Sequence, residues 1–105
     1  MINKAKEAGA DAVKFQSYTT ENLASHNTPK AKYQFDHNSK NESHFKMLKK
    51  LELNFKQIYK LYKYCEKKKI EFISTPYDVK NAKFLNKIGT KIFKTASADI
   101  NDFFL

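Results

Sequence analysis

Gly9-Ala10-Asp11-Ala12-Val13-Lys14-Phe15-Gln16-Ser17 reads as a short strand, Asp11–Gln16, entered from a helix. Side chains alternate along a strand, so Ala12, Lys14 and Gln16 share one face while Val13 and Phe15 share the other. Lysine almost never goes inside unless something pairs with it. A lysine and a glutamine on the small-residue face of an otherwise apolar strand are therefore expected to lie in a buried place that holds a ligand.

Outward from this strand, helix and strand patterns alternate. Upstream, Ile2, Ala5 and Ala8 make one helical face, and Gly9 is a C′ stop. Downstream, the stretch from Ser17 to Asn41 is polar, carries Pro29 and shows no sustained period. A structureless connection of that length is uncommon in a compact domain, and because it leaves the lysine strand it reads as an active-site loop. Helical spacing returns in Glu42–Leu51 through Phe45, Leu48 and Leu51. Asn54 reads as an N-cap with Gln57 at the capping-box position. The helix that it opens runs to about Lys68, with Phe55, Ile58, Leu61, Tyr62 and Cys65 on one side. Glu71–Ser74 is a second strand, stopped by Thr75-Pro76. Asp78 caps a further helix whose apolar face holds Ala82, Leu85 and Ile88, and Gly89 ends it. Lys91–Thr95 is a third strand, leading into Ala96-Ser97-Ala98-Asp99, and Phe103-Phe104-Leu105 reads as the start of another helix.

This alternation with short connections predicts parallel strands joined by right-handed crossovers. Three polar clusters, Lys14/Gln16, Ser74/Thr75 and Lys94/Ser97, then fall at the C-terminal ends of three successive strands. Ligand sites of parallel α/β folds sit there, in open sheets and barrels alike. Two lysines and several hydroxyls at one mouth describe an anion site, with lysine as a point charge for phosphate. Two readings compete with it. One is a Schiff-base lysine, its pKa lowered by burial beside a like charge. The other is that Lys14 and Lys94 simply snorkel to the surface.

Composition bounds the alternatives. Length fits about one small domain, and 41% hydrophobic residues are compatible with a core. Twenty lysines and arginines against eleven acids give a net charge of +9. That charge admits a non-enzymatic basic binding module, but no arginine cluster or basic stripe appears, so solvated helix faces are the preferred account and no nucleic-acid partner is expected. A single cysteine forbids an internal disulfide and fits a reducing cytosol. No apolar run approaches ~18 residues and no signal peptide is visible, so a cytoplasmic protein with no membrane span is expected. His26, His37 and His44 lack metal-ligand spacing and read as loop polarity; Cys65 reads as core, and Tyr59, Tyr62 and Tyr64 as helix packing.

Five ordered motifs carry a resemblance. Gly9–Gln16, Pro-Lys-Ala-Lys-Tyr-Gln (Pro29–Gln34), Lys-Lys-Leu-Glu-Leu (Lys49–Leu53), Phe-Ile-Ser-Thr-Pro-Tyr-Asp (Phe72–Asp78) and Phe-Lys-Thr-Ala-Ser-Ala-Asp-Ile (Phe93–Ile100) occur in sequence order. Together they resemble the sialic acid synthase family, the N-acetylneuraminate synthases and their pseudaminic and legionaminic relatives. The resemblance implies a partial (β/α)8 TIM barrel of about three to four β/α units with parallel strands. It further implies condensation of phosphoenolpyruvate with an open-chain N-acetyl amino sugar of the N-acetylmannosamine type. A divalent metal, Mn2+ or Mg2+, polarises the sugar aldehyde in such enzymes, and its ligands are not expected in this chain. By motif, Lys14 and Lys94 would hold the phosphate and carboxylate of phosphoenolpyruvate, Thr75 and Ser97 would add hydrogen bonds, and Gln16 would face the sugar. The family uses no imine, which counts against a Schiff-base aldolase.

Two departures stand out. Ala98-Asp99 replaces the Gly-Glu that commonly follows the family's serine, and Asp99 keeps the charge near the reacting centre on a side chain one methylene shorter. The chain also matches only part of such a barrel, lacking the first strand, the later histidine metal ligands and the C-terminal antifreeze-like domain. Residues 1–105 are thus expected to be a fragment of the N-terminal barrel domain, inactive alone, of an enzyme that is a homodimer at full length.

Overall fold

The computed structural model describes residues 1–23, 44–101, 103 and 105. Its elements run α1 (Ile2–Glu7), β1 (Ala12–Ser17), α2 (Thr20–Leu23), α3 (His44–Leu51), α4 (Phe55–Lys68), β2 (Glu71–Pro76), α5 (Val79–Ile88) and β3 (Ile92–Phe93), followed by a 3-10 turn at Ser97–Asp99. The strands form one parallel sheet in the order β1–β2–β3.

Local chemistry sets the helix ends. Asn54 Oδ1 accepts from the Gln57 N–H at 2.8 Å while Gln57 Oε1 accepts from the Asn54 N–H at 2.9 Å. This reciprocal cap satisfies two amides that the first turn of α4 would otherwise leave without partners. Lys69 ends α4 in the left-handed region at φ 56°, just after Lys67 and Lys68, whose charges suit the negative end of the helix dipole. Asp78 caps α5 by accepting from the Asn81 N–H at 2.7 Å. Gly89 stops that helix at φ 98°, and a Cβ there would lie 3.1 Å from Tyr62 Oη. A side chain at Gly89 would meet backbone strain and a tight contact from which the Tyr62 hydroxyl would have to shift.

The core lies on one face of the sheet. Ile2 of α1, Ile58 and Cys65 of α4, and Leu85 of α5 pack with Val13, Phe15 and Phe72 from the strands. Phe15 stacks over Phe72 at 5.5 Å, and Tyr62 meets Phe72 edge-on at 5.7 Å. Helices on both faces would require the strand order to reverse, as it does in doubly wound sheets. An order that simply advances, with every crossover helix on the same side, is how consecutive units of a closed β/α barrel are arranged. The sequence expectation of successive parallel β/α units is met.

The sheet differs from expectation in detail. β2 continues through Thr75 and Pro76, because β1 also extends to Ser17 and the two pair along their whole length. β3 holds just two residues instead of Lys91–Thr95, although the Lys94 N–H still donates to Ser74 O at 3.1 Å. Its outer edge has no neighbouring strand among the described residues, and Ile92 and Phe93 are 44% and 42% exposed. Pairing from one side leaves little to hold a longer strand flat. The expected polar loop begins with a helical turn, α2, and the rest of it, with Pro29–Gln34, lies outside the described residues, as do His26 and His37. Neither Phe103 nor Leu105 is helical.

Candidate active site

Alternation along β1 separates structure from chemistry. Val13, Phe15 and Ser17 are buried against the helices, and Lys14 and Gln16 are exposed on the opposite face. In register, Lys14 lies beside Ile73 and Gln16 beside Thr75, with Ile92 next to Ile73. The two polar side chains were expected in a buried place. They are exposed here, on a face flanked by α2 and α3 across an open groove and not covered by a packed helix.

A groove of 890 Å³ runs past the strand ends and is lined by Lys14, Gln16, Tyr18, His44, Met47 and Tyr77 among others. Gln16 Nε2 donates to Tyr77 Oη at 3.0 Å. Tyr77 meets Tyr18 edge-on at 6.1 Å, and Tyr18 Oη donates to Leu48 O at 2.8 Å, which ties α3 to the end of β1. Burial pushes the Tyr77 hydroxyl above its usual range, and the negative charge of Asp99 adds to the effect. Asp99 closes the 3-10 turn with its Oδ2 buried and unbonded. His44 Nδ1 is likewise buried and unbonded.

The remaining expected site residues lie beside this groove. Thr75 is 2% exposed within β2. Lys94 is exposed, and its Nζ donates to Thr95 O at 3.0 Å. Lys94 and Asp99 share a smaller depression of 190 Å³ with Pro76 and Phe93. Ser97 is exposed at the start of the 3-10 turn, next to Ala98, which reaches the groove. Lys14 and Gln16 thus open onto one concavity and Lys94 and Asp99 onto another, while Tyr77 connects the two through Gln16 and the Asp99 charge. Sequence reasoning passed over Tyr77 and Tyr18 and read His44 as loop polarity, whereas His44 opens α3 with its Nδ1 buried. Tyr77 stands two residues beyond Thr75 and Tyr18 two beyond Gln16, so the strand-end argument carried one step further picks out both.

A strap holds α2 and α3 over the groove. Glu52 Oε2 accepts from both the amide and the hydroxyl of Thr20, and Lys49 bridges Glu52 and Glu21 at 3.2 and 2.8 Å. Burial opposes ionisation of Glu52, but the Thr20 hydrogen bonds and the Lys49 ammonium outweigh it, so the carboxyl titrates below its ordinary 4.5. A depressed folded value means that the link stabilises above the unfolded pKa and is lost as pH falls through the folded one. The strap should therefore hold at neutral pH and loosen in acid below pH 4.5. Hydrogen-exchange protection of the Thr20 amide, followed against α4 core amides as pH falls, checks this. Loss of protection at Thr20 ahead of α4 is expected; parallel loss contradicts it.

Lys63 pairs with Glu66, and the Lys68 and Lys80 ammonium groups lie over the Tyr64 and Phe55 rings. Cys65 is 1% exposed, and burial followed by the Glu71 charge pushes its thiol up, away from reactivity. Among the described residues no three His, Cys, Asp or Glu side chains gather as metal ligands. None of the described helices is long and apolar enough to cross a membrane.

A parallel sheet with its helices on one face and polar side chains toward the strand ends defines a barrel-type α/β protein. The chain belongs to the NeuB family, which matches residues 1–105. It is 40% identical over 102 residues to N,N'-diacetyllegionaminic acid synthase of Campylobacter jejuni, covering 97% of this chain and 30% of that protein. To human N-acetylneuraminate-9-phosphate synthase it is 31% identical over 103 residues, 98% of this chain and 28% of the relative. Among solved structures it superposes on N-acetylneuraminic acid synthetase from Leptospira borgpetersenii, determined in complex with citrate. The TM-score is 0.74 at 34% identity, over 97% of this chain and 31% of that one. The chain thus spans less than a third of the length of these relatives.

Proposed function

We propose that residues 1–105 form part of the N-terminal barrel domain of a cytoplasmic, homodimeric synthase that joins phosphoenolpyruvate to an N-acetyl amino sugar, giving a sialic or related nonulosonic acid. The observation that carries this reading is that Lys14 and Gln16, two residues apart on the exposed face of β1, line one groove in a chain matched throughout by the NeuB family. Lys14 on β1 and Lys94 after β3 flank the central strand β2, and phosphoenolpyruvate brings two anionic groups, a phosphate and a carboxylate, for two ammonium groups to hold. Lys14 and Lys94 take these two groups. Thr75 and Ser97 add hydroxyl hydrogen bonds, and Gln16 faces the sugar.

The bonds then follow. C3 of phosphoenolpyruvate attacks the sugar aldehyde and forms the new C–C bond. Water adds at C2, the C2–O bond to phosphate breaks, and phosphate leaves with that electron pair. The Asp99 carboxylate, whose charge reaches Tyr77, would steady the positive charge that develops at C2. The divalent metal that the family resemblance implies finds no ligand set among the described residues, and no step here is assigned to it.

Incubating the full-length synthase that carries this segment with phosphoenolpyruvate, N-acetylmannosamine and Mn2+ tests the reading. Phosphate release that requires the sugar, and survives borohydride, is the expected result. No release with any N-acetyl amino sugar contradicts it, and irreversible inactivation with a reduced adduct on Lys14 or Lys94 supports an aldolase instead.

A further inference from the structure

Tyr77 has no role in the chemistry just described, yet three contacts converge on it. Its backbone N–H donates to Ser17 O at 3.0 Å, one step past the last residue of β2. Its ring is set edge-on against Tyr18, and its hydroxyl accepts from Gln16 Nε2 at 3.0 Å. A phenol fixed at both backbone and ring is a stationary hydrogen-bonding point. Gln16 is the opposite case. Its carboxamide offers N–H donors on one side and an acceptor oxygen on the other, and a half-turn exchanges them.

The Tyr77 hydroxyl can meet that amide in two ways, by accepting from Nε2 or by donating to Oε1. The structure holds the first arrangement, with Nε2 3.0 Å from the phenol oxygen. Among the described residues nothing donates to Gln16 Oε1, which stays available on the open face of β1.

We propose that Tyr77 is a positioning residue that locks the Gln16 carboxamide with Oε1 free as an acceptor, so that the groove selects a sugar presenting an N–H or O–H donor at that point. The inference rests on the reading that Gln16 faces the sugar. A Tyr77 without its hydroxyl keeps the ring and its packing on Tyr18 but leaves the amide free to turn. Selectivity would suffer before stability.

Steady-state kinetics on the full-length synthase, with phosphoenolpyruvate and N-acetylmannosamine, test this with Tyr77→Phe, Gln16→Ala and the double variant. Tyr77→Phe should raise KM for the sugar about five- to tenfold, as expected for one neutral hydrogen bond, with a smaller change in kcat and in KM for phosphoenolpyruvate. The double variant should be no worse than Gln16→Ala alone, since the hydroxyl acts through that side chain. An unchanged sugar KM, or losses that add in the double variant, overturns the inference while wild-type turnover upholds the reading of function. A wild-type enzyme with no sugar-dependent phosphate release overturns both.

Discussion

Phe72→Ala should destabilise the fold by about 3–5 kcal/mol, the range for removing a large aromatic side chain from a core. Phe72 is 3% exposed near the start of β2, the middle strand of the sheet, stacked on Phe15 and met edge-on by Tyr62. It therefore joins two strands to α4 through one ring. Alanine would remove the apolar area and both aromatic pairs together, and the middle of a parallel sheet has little freedom to collapse onto the void. A fall in the denaturation midpoint checks the prediction, with Tyr59→Ala as the comparison. Tyr59 is 46% exposed on the outer side of α4, and its loss should cost within about 0.5 kcal/mol. Equal losses for the two would mean that the sheet is not held together at Phe72.

Lys94→Ala should weaken capture of phosphoenolpyruvate by about 2–4 kcal/mol, on the order of 30- to 700-fold in dissociation constant. Lys94 follows β3 directly and at present gives its ammonium to Thr95 O. An anion in the strand-end site replaces that carbonyl with a full charge, so the loss on truncation is a charge-assisted one. Lys14→Ala should act in the same direction. Lys91→Ala supplies the control, because Lys91 opens onto a separate cavity with Asp11, Glu66 and Glu71. An equal effect at Lys91 would show that general positive charge, and not a built site, draws the substrate.

Much of the fold was legible because its signals are local. The period of two in Gly9–Ser17 separated Val13 and Phe15 from Lys14 and Gln16, and the structure divides them in the same way. Asn54 with Gln57, Asp78 and Gly89 marked helix ends that the structure places there. What was not legible depends on residues far apart in sequence. The turn α2 is held by Glu52 across 32 positions, which no window around Thr20 can reveal. β3 is short because of what lies beside it, not because of its own residues. The depth at which Lys14 and Gln16 sit is set by whatever covers the exposed face of β1, so a polar pair on one side of a strand located the face without fixing its burial. Tyr77 escaped notice for a related reason: its partner Gln16 lies 61 residues away.

The central claim is that the strand-end site brings phosphoenolpyruvate and a sugar together with loss of phosphate from C2. The most direct measurement uses phosphoenolpyruvate carrying 18O in the bridging position between carbon and phosphorus. The full-length synthase should release phosphate only when the N-acetyl amino sugar is present, and the label should leave in that phosphate, because the C2–O bond breaks. Phosphate released free of label, or released without the sugar, would contradict the account.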